Sequence, residues 1–162
     1  MRKTVALLAG VVWLLLSQSG AAFAATSGPQ NWVVVSRSGQ PTRVGAYGVL
    51  NSAGTVTDRL TLHLENGTFD NFATQTFPGG TLEYHGSGTA VLQVDPVTCV
   101  GSGHFVGPFV ITGGTGAYTG ASGSGVAIGD LGFLFAKTAT GCSQTPILTW
   151  GVARATGTLT LP

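Results

Sequence analysis

The chain has 162 residues, of which 8% are charged, 43% are hydrophobic and 26 are glycine. Seven Lys and Arg stand against six Asp and Glu, a formal net charge of +1. That balance gives no basic footprint for nucleic acid or an anionic membrane surface, and the length suits one domain with its own core.

Arg2 and Lys3 precede an apolar run from Thr4 to Leu16, and Ala22-Phe23-Ala24 places small residues at both recognition positions of a signal-peptidase site. This is the order of a secretory signal peptide. The alternative, a single membrane anchor, is disfavoured because the run falls short of the roughly 20 residues that span a bilayer. We expect cleavage after Ala24, a secreted product, a flexible lead-in over residues 25–30, and one domain over 31–162. Loss of Arg2 and Lys3 would leave five basic residues against six acidic ones. No later segment is continuously apolar enough for a membrane span.

Beyond the lead-in the pattern is that of strands, with abundant Gly, Thr and Val and no helical spacing over ten residues. Expected strands are Trp32–Arg37, Val44–Leu50, Val56–Glu65, Thr68–Phe77, Thr81–Val94 (with a break at Gly86–Gly88), Val97–Thr112, Ser122–Lys137 and Ile147–Leu161. Ser38-Gly39-Gln40-Pro41, Asn51-Ser52-Ala53-Gly54, Asn66-Gly67, Pro78-Gly79-Gly80 and Asp95-Pro96 supply the turns. Asn66-Gly67 is the clearest hairpin signal. Alternation is sharpest at Leu60-Thr61-Leu62-His63-Leu64-Glu65, with leucines on one face and Thr, His and Glu on the other. About eight strands and no covering helix point to an all-β fold, a closed antiparallel barrel or, as the alternative, a β-sandwich.

Cys99 and Cys142 are the two cysteines. In an exported protein an even pair implies a disulfide; free thiols, metal ligands and a nucleophile remain as alternatives, without CxxC spacing or a local catalytic pattern to favour them. His63, His85 and His104 fall on three different expected strands, with nothing in their spacing to bring them together as a zinc site. We expect neither a metal nor a cofactor. Arg59, His63 and Glu65 share one strand face, and Glu83 and His85 share another. Facing inward they would form a polar pocket wall able to bind ligand or move a proton; facing outward they are an ordinary wetted surface, the reading we favour. There is no GxSxG elbow, and Asp58 and Asp70 are too dispersed for a calcium loop. Trp32, Tyr118, Phe133, Phe135 and Trp150 are expected to fill the core.

The densest glycine run is Gly113-Gly114-Thr115-Gly116-Ala117-Tyr118-Thr119-Gly120-Ala121-Ser122-Gly123. A Walker loop would require a Lys, and none is near; the dinucleotide fingerprint would require GxGxxG followed by a helix, and a strand follows instead. The structural interpretation is a corner where glycine permits positive φ and close strand approach, covered by Tyr118. This run resembles the Gly-Gly-(Ser/Thr)-Gly-x-aromatic-x-Gly-Ala-x-Gly stretch of the allene oxide cyclase and dirigent barrel superfamily, and in particular its small secreted bacterial members. Phe109–Thr112 before it and Leu131–Ala136 after it fit the same arrangement. The resemblance implies an eight-stranded barrel with a central cavity. Plant members cyclise a fatty-acid epoxide or steer radical coupling, through side chains that have no motif match in this chain, so the implied fold carries over without the activity.

Two classes of function follow. One is an exported barrel binding a small apolar molecule, with a cofactor-independent cyclase or isomerase as a subclass. The other is a structural or surface-interaction protein with a filled barrel. Neither a partner protein nor an oligomeric state is marked in the sequence.

Overall fold

The computed structural model describes residues 25–162; the expected signal peptide lies outside the described residues. Eight strands follow one another in chain order: β1 (Thr26–Arg37), β2 (Thr42–Gly48), β3 (Ser52–His63), β4 (Thr68–Phe77), β5 (Gly80–Val94), β6 (Val100–Gly114), β7 (Ser122–Thr138) and β8 (Gly141–Leu161). A single 3₁₀ turn, Gly116–Tyr118, interrupts the series between β6 and β7. Each strand pairs antiparallel with the next, and β1 pairs with β8 along its whole length, from Thr26↔Leu161 to Arg37↔Trp150. The sheet thus closes into a ring without a free edge, which removes the liability of unpaired strand backbone.

β4 has the bounds expected from the sequence. β5 runs unbroken through Gly86–Gly88, because β4 pairs with all three residues and β6 pairs with Gly86. Residues 26–30 correct the expectation of a flexible lead-in: they are the first part of β1 and pair with β8. Gln30 shows why. It is 1% exposed, its Nε2 donates to Leu50 O at 3.0 Å, and Leu50 N donates to its Oε1 at 2.7 Å. One amide satisfies both backbone groups of a buried connection.

The turns follow local chemistry. Between β4 and β5, Pro78 precedes Gly79 at φ +102, the residue order of a type II turn. Between β3 and β4, Asn66 Oδ1 accepts from Thr68 N at 3.1 Å, and Gly67 adopts φ +65.

In such a meander alternate connections share one end. At the end holding the β2–β3, β4–β5 and β6–β7 connections, Leu50, Phe77, Leu82, Tyr118, Ala121 and Leu159 are buried together and form a floor. The glycine run belongs here. A Cβ on Gly114 would meet the backbone oxygens of Thr81 and Tyr118, and Gly116, at φ +60, leaves its Cα side against Gly79. Tyr118 fills the space so created. Its ring meets Phe77 edge-on at 6.3 Å, and its hydroxyl donates to Pro78 O at 2.9 Å.

The opposite end is a mouth. Leu64 and Val97 are among the most exposed apolar residues there, at 70% and 71%. Cys99 and Cys142 form a disulfide that ties the β5–β6 connection to the β7–β8 hairpin. Asp95 caps that connection: the backbone N–H groups of Val97 and Thr98 donate to Oδ1 and hold its carboxyl below the usual range. Trp150 corrects another expectation. It is 43% exposed and lies across Gly132 instead of entering the core.

Candidate functional site

The inner face follows from strand periodicity. Trp32 and Val34 on β1, Val56, Asp58, Leu60 and Leu62 on β3, and Leu82, Tyr84 and Gly86 on β5 line one central cavity of about 160 Å³. On β4 the inward residues are odd-numbered, including Phe69, Asn71 and Gln75. Small residues face them from the far side, where Ala127 pairs with Ala155. The wall is therefore mostly apolar, as expected of small-molecule sites.

Arg59, His63 and His85 alternate with those cavity residues and occupy the outer surface of the ring, and Glu65 lies in the turn after β3. They nevertheless come together. Their centre is β4, whose Asp70 and Phe72 sequence reasoning did not select. His63 Nε2 lies 3.2 Å from Asp70 Oδ2, and His85 Nε2 lies 3.5 Å from Asp70 Oδ1. His63 Nδ1 is 3.7 Å from Glu65. Phe72 stacks on the His85 ring at 4.2 Å, with the Arg59 guanidinium 5.2 Å from the Phe72 centroid. This is a half-exposed network of the kind that contributes little to stability. His104 stays apart on β6, its Nδ1 2.8 Å from Asp130. Among the described residues, no group of three His, Cys, Asp or Glu side chains is placed to hold a metal ion.

The chemistry of the interior comes from residues that were not selected. Asp58 stands opposite Ala73, and Ala73 stands opposite Tyr84, so one row crosses β3, β4 and β5. Asn71 and Gln75 lie two residues to either side of Ala73 on the same face. Because Ala73 is small, the row leaves a recess between a carboxylate and a phenol, flanked by two amides. Deeper, Trp32 is 3% exposed and meets Phe109 edge-on at 5.5 Å. Trp32 Nε1 and Asn71 Oδ1 are buried, and neither has a hydrogen-bond partner among the described residues. A buried N–H donor and a buried carbonyl acceptor left unpaired cost about 1–3 kcal/mol each. Both belong to residues that line the cavity.

The chain matches no family model, no curated protein and no solved structure. The site therefore has to be read from its own atoms.

Tyr84 carries the strongest electrostatic signature. Burial pushes its phenol from 10.0 up to about 12, the Asp58 charge adds to that push, and the Gln75 side chain beside it pulls the other way. At neutral pH the hydroxyl is a fixed hydrogen-bond donor. Since the folded form holds this proton more tightly than the unfolded chain, the associated stability is complete below pH 10. It is lost as pH rises towards about 12. Two units correspond to ~3 kcal/mol. Urea unfolding between pH 9 and pH 12, flanking the interval that the shift defines, should show this loss in the native chain and a reduced loss in Tyr84→Phe. Equal alkaline slopes in the two proteins would remove Tyr84 as its source.

Proposed function

We propose that the protein is an exported β-barrel of the allene oxide cyclase and dirigent type that holds one small, largely apolar molecule inside the barrel. The observation that carries this is the pair of buried, unpartnered polar atoms, Trp32 Nε1 and Asn71 Oδ1, on residues of a mostly apolar cavity wall. A filled structural barrel would have no need of them. The glycine run, the eight-strand ring and the exposed Leu64 and Val97 at the mouth agree with the same reading. The disulfide agrees with an oxidising compartment outside the cytoplasm.

Size sets the ligand's scale. The cavity holds about 160 Å³, and an apolar cavity of roughly 150 Å³ accommodates benzene. The ligand's buried part is accordingly about one ring carrying one polar group. The interior binds and orients; it supplies a donor at Tyr84 and a carboxylate at Asp58 without a recognisable nucleophile.

Benzyl alcohol is a suitable neutral probe, read by the Trp32 indole N–H resonance in ¹H–¹⁵N NMR. A saturable shift of Trp32, with Trp150 on the outside unmoved, is the expected result. Ala127→Phe places a ring in the cavity and should weaken binding at least tenfold, the equivalent of about 1.4 kcal/mol, while the fold persists. If Trp32 does not move, or Ala127→Phe binds as well as the native chain, the interior is not the site.

A further inference from the structure

The charges around the cavity are one-sided. Among the described residues, Asp58 is the only carboxylate lining it, and the cations Arg37, Arg43, Arg59, Lys137 and Arg154 are all absent from its wall. Arg59, next to Asp58 in the chain, points to the opposite surface and lies over Phe72. Lys137 at the mouth end donates to Val97 O at 3.0 Å. His104 reaches the cavity rim, but its imidazole is engaged by Asp130. No ion pair involves Asp58 among the described residues.

The uncharged groups lean the same way. Asn71 Oδ1 is an acceptor lacking a donor. Trp32, Phe69, Tyr84, Phe105 and Phe109 present aromatic rings to the same space. Ring faces attract cations and a lone carboxylate repels anions, so both effects act on the sign of a ligand's charge. An ammonium group also brings several N–H donors for a wall whose exposed carboxylate is Asp58.

We infer that the interior selects a one-ring organic amine in its protonated form, with the ammonium group at Asp58 and the ring against the aromatic wall, and that it rejects carboxylates of the same shape. This rests on the ligand-binding role proposed above and narrows it to a chemical class. Asp58 is exposed to solvent, so each charge effect is bounded by that of an exposed ion pair, about fivefold in affinity.

The test compares benzylamine, benzyl alcohol and benzoate at neutral pH, each titrated against the Trp32 indole resonance. The expected order is benzylamine tightest, benzyl alcohol about fivefold weaker, and benzoate about fivefold weaker again. Asp58→Asn should bring benzylamine level with benzyl alcohol. Asp58 is at the open side of the recess, and its removal leaves the floor core intact. Equal binding of the three compounds, tighter binding of benzoate, or an amine preference that survives Asp58→Asn would overturn the inference while the ligand-binding role stands. Failure of benzyl alcohol itself to bind would overturn both.

Discussion

Tyr118→Ala is expected to destabilise the protein by about 3–5 kcal/mol, the usual consequence of deleting a buried aromatic ring. Tyr118 is the one large side chain in the connection between β6 and β7, and it is 7% exposed. Its ring closes the floor against Phe77, while its hydroxyl donates to Pro78 O in the neighbouring turn. The glycines around it cannot move in to fill the hole. Gly114 already lies against the backbone of Thr81 and Tyr118, Gly116 lies against that of Gly79 and Gly80, and neither carries a side chain to rearrange. Tyr118→Phe keeps the ring and loses only the hydrogen bond, at about 1 kcal/mol. Urea midpoints with an unchanged slope would measure both. Near-equal losses for the two variants would mean that the ring does not hold the floor.

Loss of the disulfide is expected to cost about 4 kcal/mol. Cys99 and Cys142 are 43 residues apart in sequence, and the chain-entropy treatment of a loop that size gives roughly that figure. The bridge also fastens the mouth. Cys99 is the single non-glycine residue with a positive φ among the described residues, at φ +58, and it is 1% exposed. Around it, Cys99 N donates to Asp95 O at 2.8 Å and Phe135 N donates to Cys99 O at 3.0 Å. Those bonds keep part of the loop in place when the link is gone, so global stability should fall while the ring stays closed. Cys99→Ala/Cys142→Ala compared with the native chain under oxidising conditions gives the measurement. Amide exchange should rise most between Asp95 and Val100. A loss below about 1 kcal/mol, or exchange that rises evenly over all strands, would contradict this account.

The strand series was legible because turn chemistry is local. Asn66-Gly67 and Pro78-Gly79 each need a positive φ that glycine supplies, and they mark hairpins without reference to the rest of the chain. The lead-in was misjudged for the opposite reason. Thr26–Gln30 contains Gly and Pro and lacks an apolar alternation, yet β8 is long enough to pair with it back to Thr26. Only a partner more than a hundred residues away makes that segment a strand.

The site was legible in part. Period two places Asp58 on the same face as Leu60 and Leu62, Tyr84 on the face of Leu82, and Gln75 on the face of Phe77. Following those faces would have found the interior cluster. The histidines and Arg59 drew attention because they are chemically versatile, and they do assemble, but on the outer surface around Asp70 and Phe72.

The amino-acid sequence by itself determined the all-β class, the number of strands, the hairpin turns and which residues share a face. It did not determine which face points inward. In a ring, hydrophobicity does not separate the two sides: Val35, Val126 and Ile128 are about half exposed outside, whereas Asp58, Asn71 and Gln75 line the inside. That choice was made by tertiary structure, through the register that closes β8 on β1 and the floor that Tyr118 completes. A strand's alternation has two equal phases, and only closure of the whole sheet selects between them.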